Sequence, residues 1–348
     1  MRALALEQPG RPPTLRIREV PTPVPGPGEA LVRVAACGFC HHDLLVMAGV
    51  LRRGVPYGAV LGHEISGTVE ALGEGVTTVQ PGQAVVSLLT SICGRCDRCR
   101  QGREHRCRAG QGIGHGRAGG FAEYVSVSAA SLVLLPPGLD LTTACLLACP
   151  MGVAFQALES VAQVMPGETV LVTGAGGGLG SHTVQAAATL GARVLAVTSS
   201  PAKVPRLKAL GAWETVEVSQ NPDEGLDFSE VVLALTGDEG ADVIIDTVGS
   251  PLFPSTWRCL GQYGRLALLG EVTGQPVALD LAEAIFRDAR ILGSSGVSRA
   301  TLERVAELAA QGRLTPLVSH ALPLEAAQEA FALLSSRSVL GRLVLTVQ

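Results

Sequence analysis

The chain has 348 residues, a formal net charge of −4 and 17% charged side chains. That length suits two domains of ordinary size, and the lack of a basic surplus excludes a nucleic-acid partner, so a small-molecule partner is expected. The apolar N-terminal run stops at Glu7-Gln8-Pro9 and no uninterrupted run approaches the ~18 apolar residues of a membrane span, so neither a leader nor a membrane is expected. In the cytoplasm, the compartment this implies, the nine cysteines serve as thiols for metal rather than as disulfides.

Residues 15–34 carry short β-branched runs broken by Pro21, Pro23, Pro25 and Pro27, the punctuation of small strands and turns. Residues 30–34 read as a strand that delivers Cys37-Gly38-Phe39-Cys40-His41-His42-Asp43, where thiols, imidazoles and a carboxylate crowd together in a way that folding alone rarely asks for. Gly62-His63-Glu64 follows, and the strand-and-turn pattern repeats to residue 86 without helical period. Next come Cys93, Cys96 and Cys99, with Cys107 seven residues further on. Four thiols at such spacing close a tetrahedral shell around one zinc and leave no open position. Arg95, Arg98, Arg100 and Arg103 either screen that charge or form a solvated face. His105 stays outside the filled shell, and His115 and Arg117 read as structural residues. Residues 119–125 read as a return strand.

From 141 to 158 the apolar residues recur at three and four, a helical period that contains both Cys145 and Cys149. Cys40, His63 and one such thiol would leave a fourth position on a tetrahedral zinc open for water or substrate. Residues 169–173 are a buried parallel strand by their continuous apolar run, Gly174-Ala175-Gly176-Gly177-Gly178-Leu179-Gly180 turns into a helix to Gly191, and 193–198 is the next strand. Such a unit holds a dinucleotide pyrophosphate at the helix N-terminus, here with glycines at 174, 177 and 180. Helices at 230–235 and 254–260 and strands at 241–246, 265–269 and 290–293 continue a doubly wound sheet of roughly six strands. Helices at 300–311 and 324–334 lead to a closing strand at 340–345. The second strand ends in Thr198-Ser199-Ser200, then Lys203, with no carboxylate to meet a ribose 2′-hydroxyl, which favours NADP(H) over NAD(H); the alternative is a charged helix face.

Over essentially its whole length the chain resembles the zinc-containing alcohol dehydrogenases of the medium-chain dehydrogenase/reductase superfamily. The resemblance rests on Cys40 with Asp43, Gly62-His63-Glu64 and distant Cys149; Cys145 is out of register. It implies an α/β plus β architecture: a chaperonin-10-like β-barrel catalytic domain over 1–150, with a structural zinc lobe at about 90–110, an inserted Rossmann dinucleotide-binding domain over 151–296, and a return to the catalytic domain over 297–348. It also implies two zinc ions per chain, a catalytic one on Cys40, His63 and Cys149 with Glu64 close by, and a structural one on Cys93, Cys96, Cys99 and Cys107. Asp43 then orients His63, His41 and Arg342 meet the cofactor pyrophosphate, and Val248 and Leu269 join the cofactor contacts.

His42 departs from the family, which has Ser or Thr there to pass the alcohol proton outward; an imidazole can relay a proton too. The implied reaction is hydride transfer between a nicotinamide cofactor and an alcohol, aldehyde or ketone, in a homodimer or homotetramer. The alternative is an NADPH-dependent enoyl or quinone reductase of the same superfamily, which Asp246-Thr247-Val248-Gly249 also resembles. Such reductases generally lack the catalytic zinc, and a nucleotide-binding protein without catalysis would show a broken ligand trio; here the trio is whole.

Overall fold

A computed structural model describes residues 1–51, 55–219 and 227–347 and divides the chain into two compact units, Met1–Gly152 with Gly296–Gln348, and Val153–Ser295. The first unit is built on a seven-stranded sheet. Its path runs Leu132–Leu134, Ala84–Ser87, Glu64–Leu72, Glu29–Phe39, Arg342–Thr346, Val318–Pro323, and Tyr124–Ser128 also pairs with Glu29–Phe39. The strand Glu29–Phe39 is buried at most positions, including its last four, and has antiparallel neighbours on both sides, so its end is held rigidly. Leu4, Val32, Phe39, Ile65, Phe121 and Leu343 share one apolar core, in which the Phe39 and Phe121 rings stack at 5.5 Å. Each such buried side chain stabilises the unit by about 1.5–3 kcal/mol.

The second unit holds six parallel strands in the order Ala212–Glu217, Arg193–Thr198, Thr169–Val172, Ala241–Asp246, Leu260–Leu268, Arg290–Gly293. Numbered along the chain this is 3-2-1-4-5-6, the order of a dinucleotide-binding sheet, with its switch point beside the first strand. Buried Leu171, Leu195, Ile244, Leu266 and Trp257 form its core.

Several sequence expectations shift. The 141–158 helix is not regular: Leu141–Ala144 is α-helical, Cys145–Leu147 is 3-10, and Ala148–Gly152 is a π turn. Pro150 has no N–H to give to an α-helical ladder, and the wider turn accommodates it. By length and composition the stretch Leu141–Val161 passes for a membrane span, contrary to the expectation from uninterrupted runs, but 72% of its window is buried in the protein. Residue 260 opens the strand Leu260–Leu268 instead of closing a helix, since Phe253–Arg258 stops short of it. The return strand is Tyr124–Ser128 and the closing strand Arg342–Thr346. The strands Ala212–Glu217 and Val318–Pro323 were not foreseen, because each is half polar and short of a strong apolar run.

Candidate metal centre and dinucleotide unit

Cys40 is the residue where the strand Glu29–Phe39 turns into the helix His41–Met47. Asp43, one turn in and 1% exposed, accepts a hydrogen bond from the Cys40 N–H at 2.9 Å and from the Gly62 N–H at 3.3 Å. Its Oδ1 also lies 3.4 Å from His63 Nδ1. One carboxylate thus ties the cysteine's turn to the histidine's. The pairing of Gly38 with Glu64 places the next strand alongside. Gly38 is required here, since a Cβ at that position would fall on Glu64 Oε2. Cys149 arrives from the π turn, and ligand atoms of Cys40, His63, Glu64 and Cys149 all lie within 4.8 Å of one another.

Packed this closely, the groups shift one another's protonation strongly. Hydrogen bonding to Cys149 draws the Cys40 thiol well below its ordinary range against the cost of burial, with Arg342 and His63 adding to it; Cys149 rises correspondingly. Burial opposes a charge on His63, but Asp43 and Cys40 overcome it and lift the imidazole well above its usual value. Burial pushes the Glu64 carboxyl up to about 7 in spite of Arg342. Arg342, 4% exposed, has Nη2 3.1 Å from Glu64 Oε1 and 3.7 Å from Cys149 Sγ. The Glu64 contact is an ion pair without hydrogen-bond geometry, whereas the Cys149 sulfur accepts a hydrogen bond from Nη2. Both Glu64 oxygens and the Arg342 Nε are buried with no hydrogen-bond partner among the described residues. Two sulfurs, an imidazole nitrogen and a carboxylate left unsatisfied match a zinc ion with nitrogen and sulfur ligands.

His42 lies beside this group. Its ring meets His63 edge-on at 5.4 Å and tilts against His115, also at 5.4 Å, and burial followed by the His63 charge lowers its pKa. His115, read from sequence as a structural residue, is therefore next to the site, and only the tertiary fold shows it. His41 points outward from the same turn, with its pKa lowered by burial. Arg117 is structural, donating to Ser91, Glu29 and the Ser126 carbonyl.

Cys93, Cys96, Cys99 and Cys107 form a second group within 4.8 Å, with sulfur separations of 3.5 Å for 96–99, 3.9 Å for 96–107 and 3.5 Å for 93–107. Backbone N–H groups of Arg108 and Cys99 lower Cys96 to about 6, while burial and its thiol neighbours raise Cys99 to about 12. None of the nine cysteines is in a disulfide. Arg108, which sequence reasoning passed over, grips Asp97 through Nε and Nη2 at 2.6 and 2.8 Å, and Arg98 caps the Arg106 carbonyl.

In the second unit the helix Gly178–Thr189 starts at Gly177 after the strand Thr169–Val172. A Cβ at Gly180 would collide with the Gly174 carbonyl, so the turn closes only with glycine there. Leu179 lies in the first turn of that helix, and Lys203 Nζ donates to the Gly176 carbonyl at 3.1 Å, across the glycine turn. Thr198 is buried with its Oγ1 accepting from Ser200 N–H at 3.2 Å, and Ser199 is exposed. Glu217, the Cα partner of Thr198 on the neighbouring strand, is the carboxylate that the sequence pattern did not bring to this edge. Val248 and Leu269 are half-buried at the ends of the next two strands. Lys208 is taken up by Glu214 and the Trp213 carbonyl.

The family model of the alcohol dehydrogenase GroES-like domain matches residues 26–137, and that of the zinc-binding dehydrogenases matches residues 178–311. Acryloyl-coenzyme A reductase of Metallosphaera sedula is 35% identical over 95% of this chain and 96% of its own. Alcohol dehydrogenase of Geobacillus stearothermophilus is 32% identical over the full length of both. A crystal structure of an NAD-dependent alcohol dehydrogenase superposes with a TM-score of 0.93 at 37% identity, covering 100% of each chain. The chain belongs to the zinc-containing alcohol dehydrogenase family of the medium-chain dehydrogenase/reductase superfamily. It is an oxidoreductase acting on small molecules.

Proposed function

We propose that the protein is a zinc-dependent, NADP(H)-preferring alcohol dehydrogenase or carbonyl reductase that holds two zinc ions per chain. The observation that carries this reading is the grouping of buried Cys40, His63 and Glu64 with half-buried Cys149, all within 4.8 Å. When bound there, zinc acts as a Lewis acid toward an alcohol or carbonyl oxygen, and the hydride chemistry belongs to the nicotinamide. Asp43 fixes the His63 ring, as carboxylates commonly do for metal-bound histidines. Glu64, paired with Arg342, is a carboxylate kept at hand for ligand exchange. His42, against His63, takes or returns the substrate proton, and His115 supports its ring. His41 and Arg342 contact the cofactor phosphates. Cys93, Cys96, Cys99 and Cys107 hold the structural ion.

On the cofactor side, Gly174, Gly176, Gly177, Gly178, Leu179 and Gly180 meet the pyrophosphate, and Thr198, Ser199, Ser200 and Lys203 a 2′-phosphate, with Val248 and Leu269 beside the nicotinamide half. Support comes from Lys203, whose ammonium already lies on the Gly176 carbonyl. A homodimer or homotetramer is supported by the sheet edge Arg290–Gly293 and by Leu281, Ile285 and Phe286, which are 69%, 71% and 79% exposed.

A second reading, reduction of an activated alkene such as a 2-enoyl thioester, is favoured by His42 in place of a hydroxyl and by the similarity to an acryloyl-coenzyme A reductase. Assays of alcohols, ketones and 2-enoyl thioesters, with wild type and Cys149→Ala, separate the two. The proposal expects loss of alcohol and ketone turnover in Cys149→Ala. Alkene reduction that persists at near wild-type rate in that variant overturns it.

A further inference from the structure

Asp246 ends the strand Ala241–Asp246 in the second unit, is 0% exposed, and forms no ion pair with any described residue. A carboxylate in such a place has to be accounted for, because burial of an ionisable group is unfavourable unless its hydrogen bonds return more. Its Oδ1 accepts from Thr173 Oγ1 at 2.6 Å and from the Val248 and Gly249 N–H groups at 2.9 and 3.0 Å. Its backbone carbonyl accepts from Leu269 N–H at 2.8 Å and Gly270 N–H at 3.2 Å. Thr173 in turn receives Thr247 N–H on Oγ1 and Thr247 Oγ1–H on its carbonyl, at 3.1 and 2.8 Å. Three segments therefore converge on one residue: Thr173, next to Gly174 at the glycine turn, the Val248 loop, and the Leu269 strand end.

Resting on the reading of this unit as the dinucleotide site, we propose that Asp246 is its positioning residue, fixing the glycine turn, Val248 and Leu269 relative to one another for the pyrophosphate and nicotinamide half. The side-chain hydrogen bonds of Asp246 go to Thr173, Val248 and Gly249, and none goes to the described segment Thr198–Lys203, which would hold the adenosine half. The two halves of the ligand should therefore respond differently when Asp246 is altered. A merely structural role would weaken both halves together.

The test compares wild type, Asp246→Asn and Thr173→Val, the last removing the hydroxyl that donates to Asp246 and accepts from Thr247 N–H, by titration with NADPH, NADH, adenosine 2′,5′-bisphosphate and AMP, with thermal unfolding of each. Expected is a loss of about tenfold or more in affinity for the preferred dinucleotide, the scale of a charge-assisted hydrogen bond. The bisphosphate or AMP should bind as in wild type and the midpoint should move little. Should Asp246→Asn fail to fold, Thr173→Val decides alone. Unchanged dinucleotide affinity, or parallel loss of both ligand classes, overturns the proposal while leaving the cofactor reading standing. A wild type that binds neither dinucleotide overturns both.

Discussion

The two thiol groups of the first unit share a ligand chemistry and differ in everything around it. Around Cys93, Cys96, Cys99 and Cys107 the neighbours are backbone N–H groups and the surface pair Arg108–Asp97, three of the four thiols are partly exposed, and among the described residues no carboxylate or imidazole joins the sulfurs. Around Cys40 and Cys149 the neighbours are His63, Glu64 and Arg342, all buried. A shell of four thiolates is complete in itself and suits a folding role. On the proposed reading, two sulfurs, an imidazole and a carboxylate with its own counter-cation suit a site whose charge rearranges as substrate comes and goes.

The largest expected difference is in turnover. His63→Ala removes the ligand that Asp43 holds, and kcat for alcohol oxidation should fall below detection while circular dichroism and the unfolding midpoint stay near wild type. A variant that keeps turnover would remove the reason for calling this group catalytic. Cys107→Ser should show the reverse pattern. Metal affinity at a closed site is folding free energy, and each kcal/mol lost moves the midpoint by about 2–4 °C in a domain of this size, so a fall of several degrees is expected with kcat preserved in the protein that remains folded.

Cofactor choice sharpens the comparison on the other unit. Wild-type kcat/KM should favour NADP(H) by at least about tenfold, and Thr198→Asp should invert the order, since ~1.4 kcal/mol is a factor of ten. A wild type that prefers NAD(H) would mean that Glu217, not Lys203, governs this edge.

Much of this was legible in the sequence, though unevenly. Spacing alone groups Cys93, Cys96, Cys99 and Cys107, because all four lie on one short loop. The strand Thr169–Val172 and the glycines after it are local too. Cys40, His63 and Cys149 are separated by long stretches, and choosing Cys149 over Cys145 needed the family register. His115 next to His42, Arg342 on Glu64, and the convergence of three segments on Asp246 depend on strand register, which the residues near them do not encode. The π turn at Cys149 was invisible for a different reason: an apolar period reports a helix but not its pitch.

A smaller effect concerns Glu168, which Arg265 grips through two bonds of 2.9 and 2.7 Å while also bonding the Ala162 carbonyl. Burial opposes the charge on Glu168, yet the Arg265 bonds hold its pKa below the ordinary value. The folded-state pKa lies under the unfolded one, so this stabilisation is present above about pH 4.3 and is lost as pH falls through the folded-state value. Arg265→Ala should cost about 1 kcal/mol at neutral pH, and the difference from wild type in urea unfolding should shrink on acidification below that point. A difference independent of pH would assign the loss to packing.

The measurement that bears most directly on the two-site account is the zinc content of freshly purified, unchelated protein, taken together with that of Cys40→Ser. Two zinc ions per chain in the wild type and one in the variant, at an unchanged unfolding midpoint, is the predicted result. One zinc or none in the wild type would contradict it.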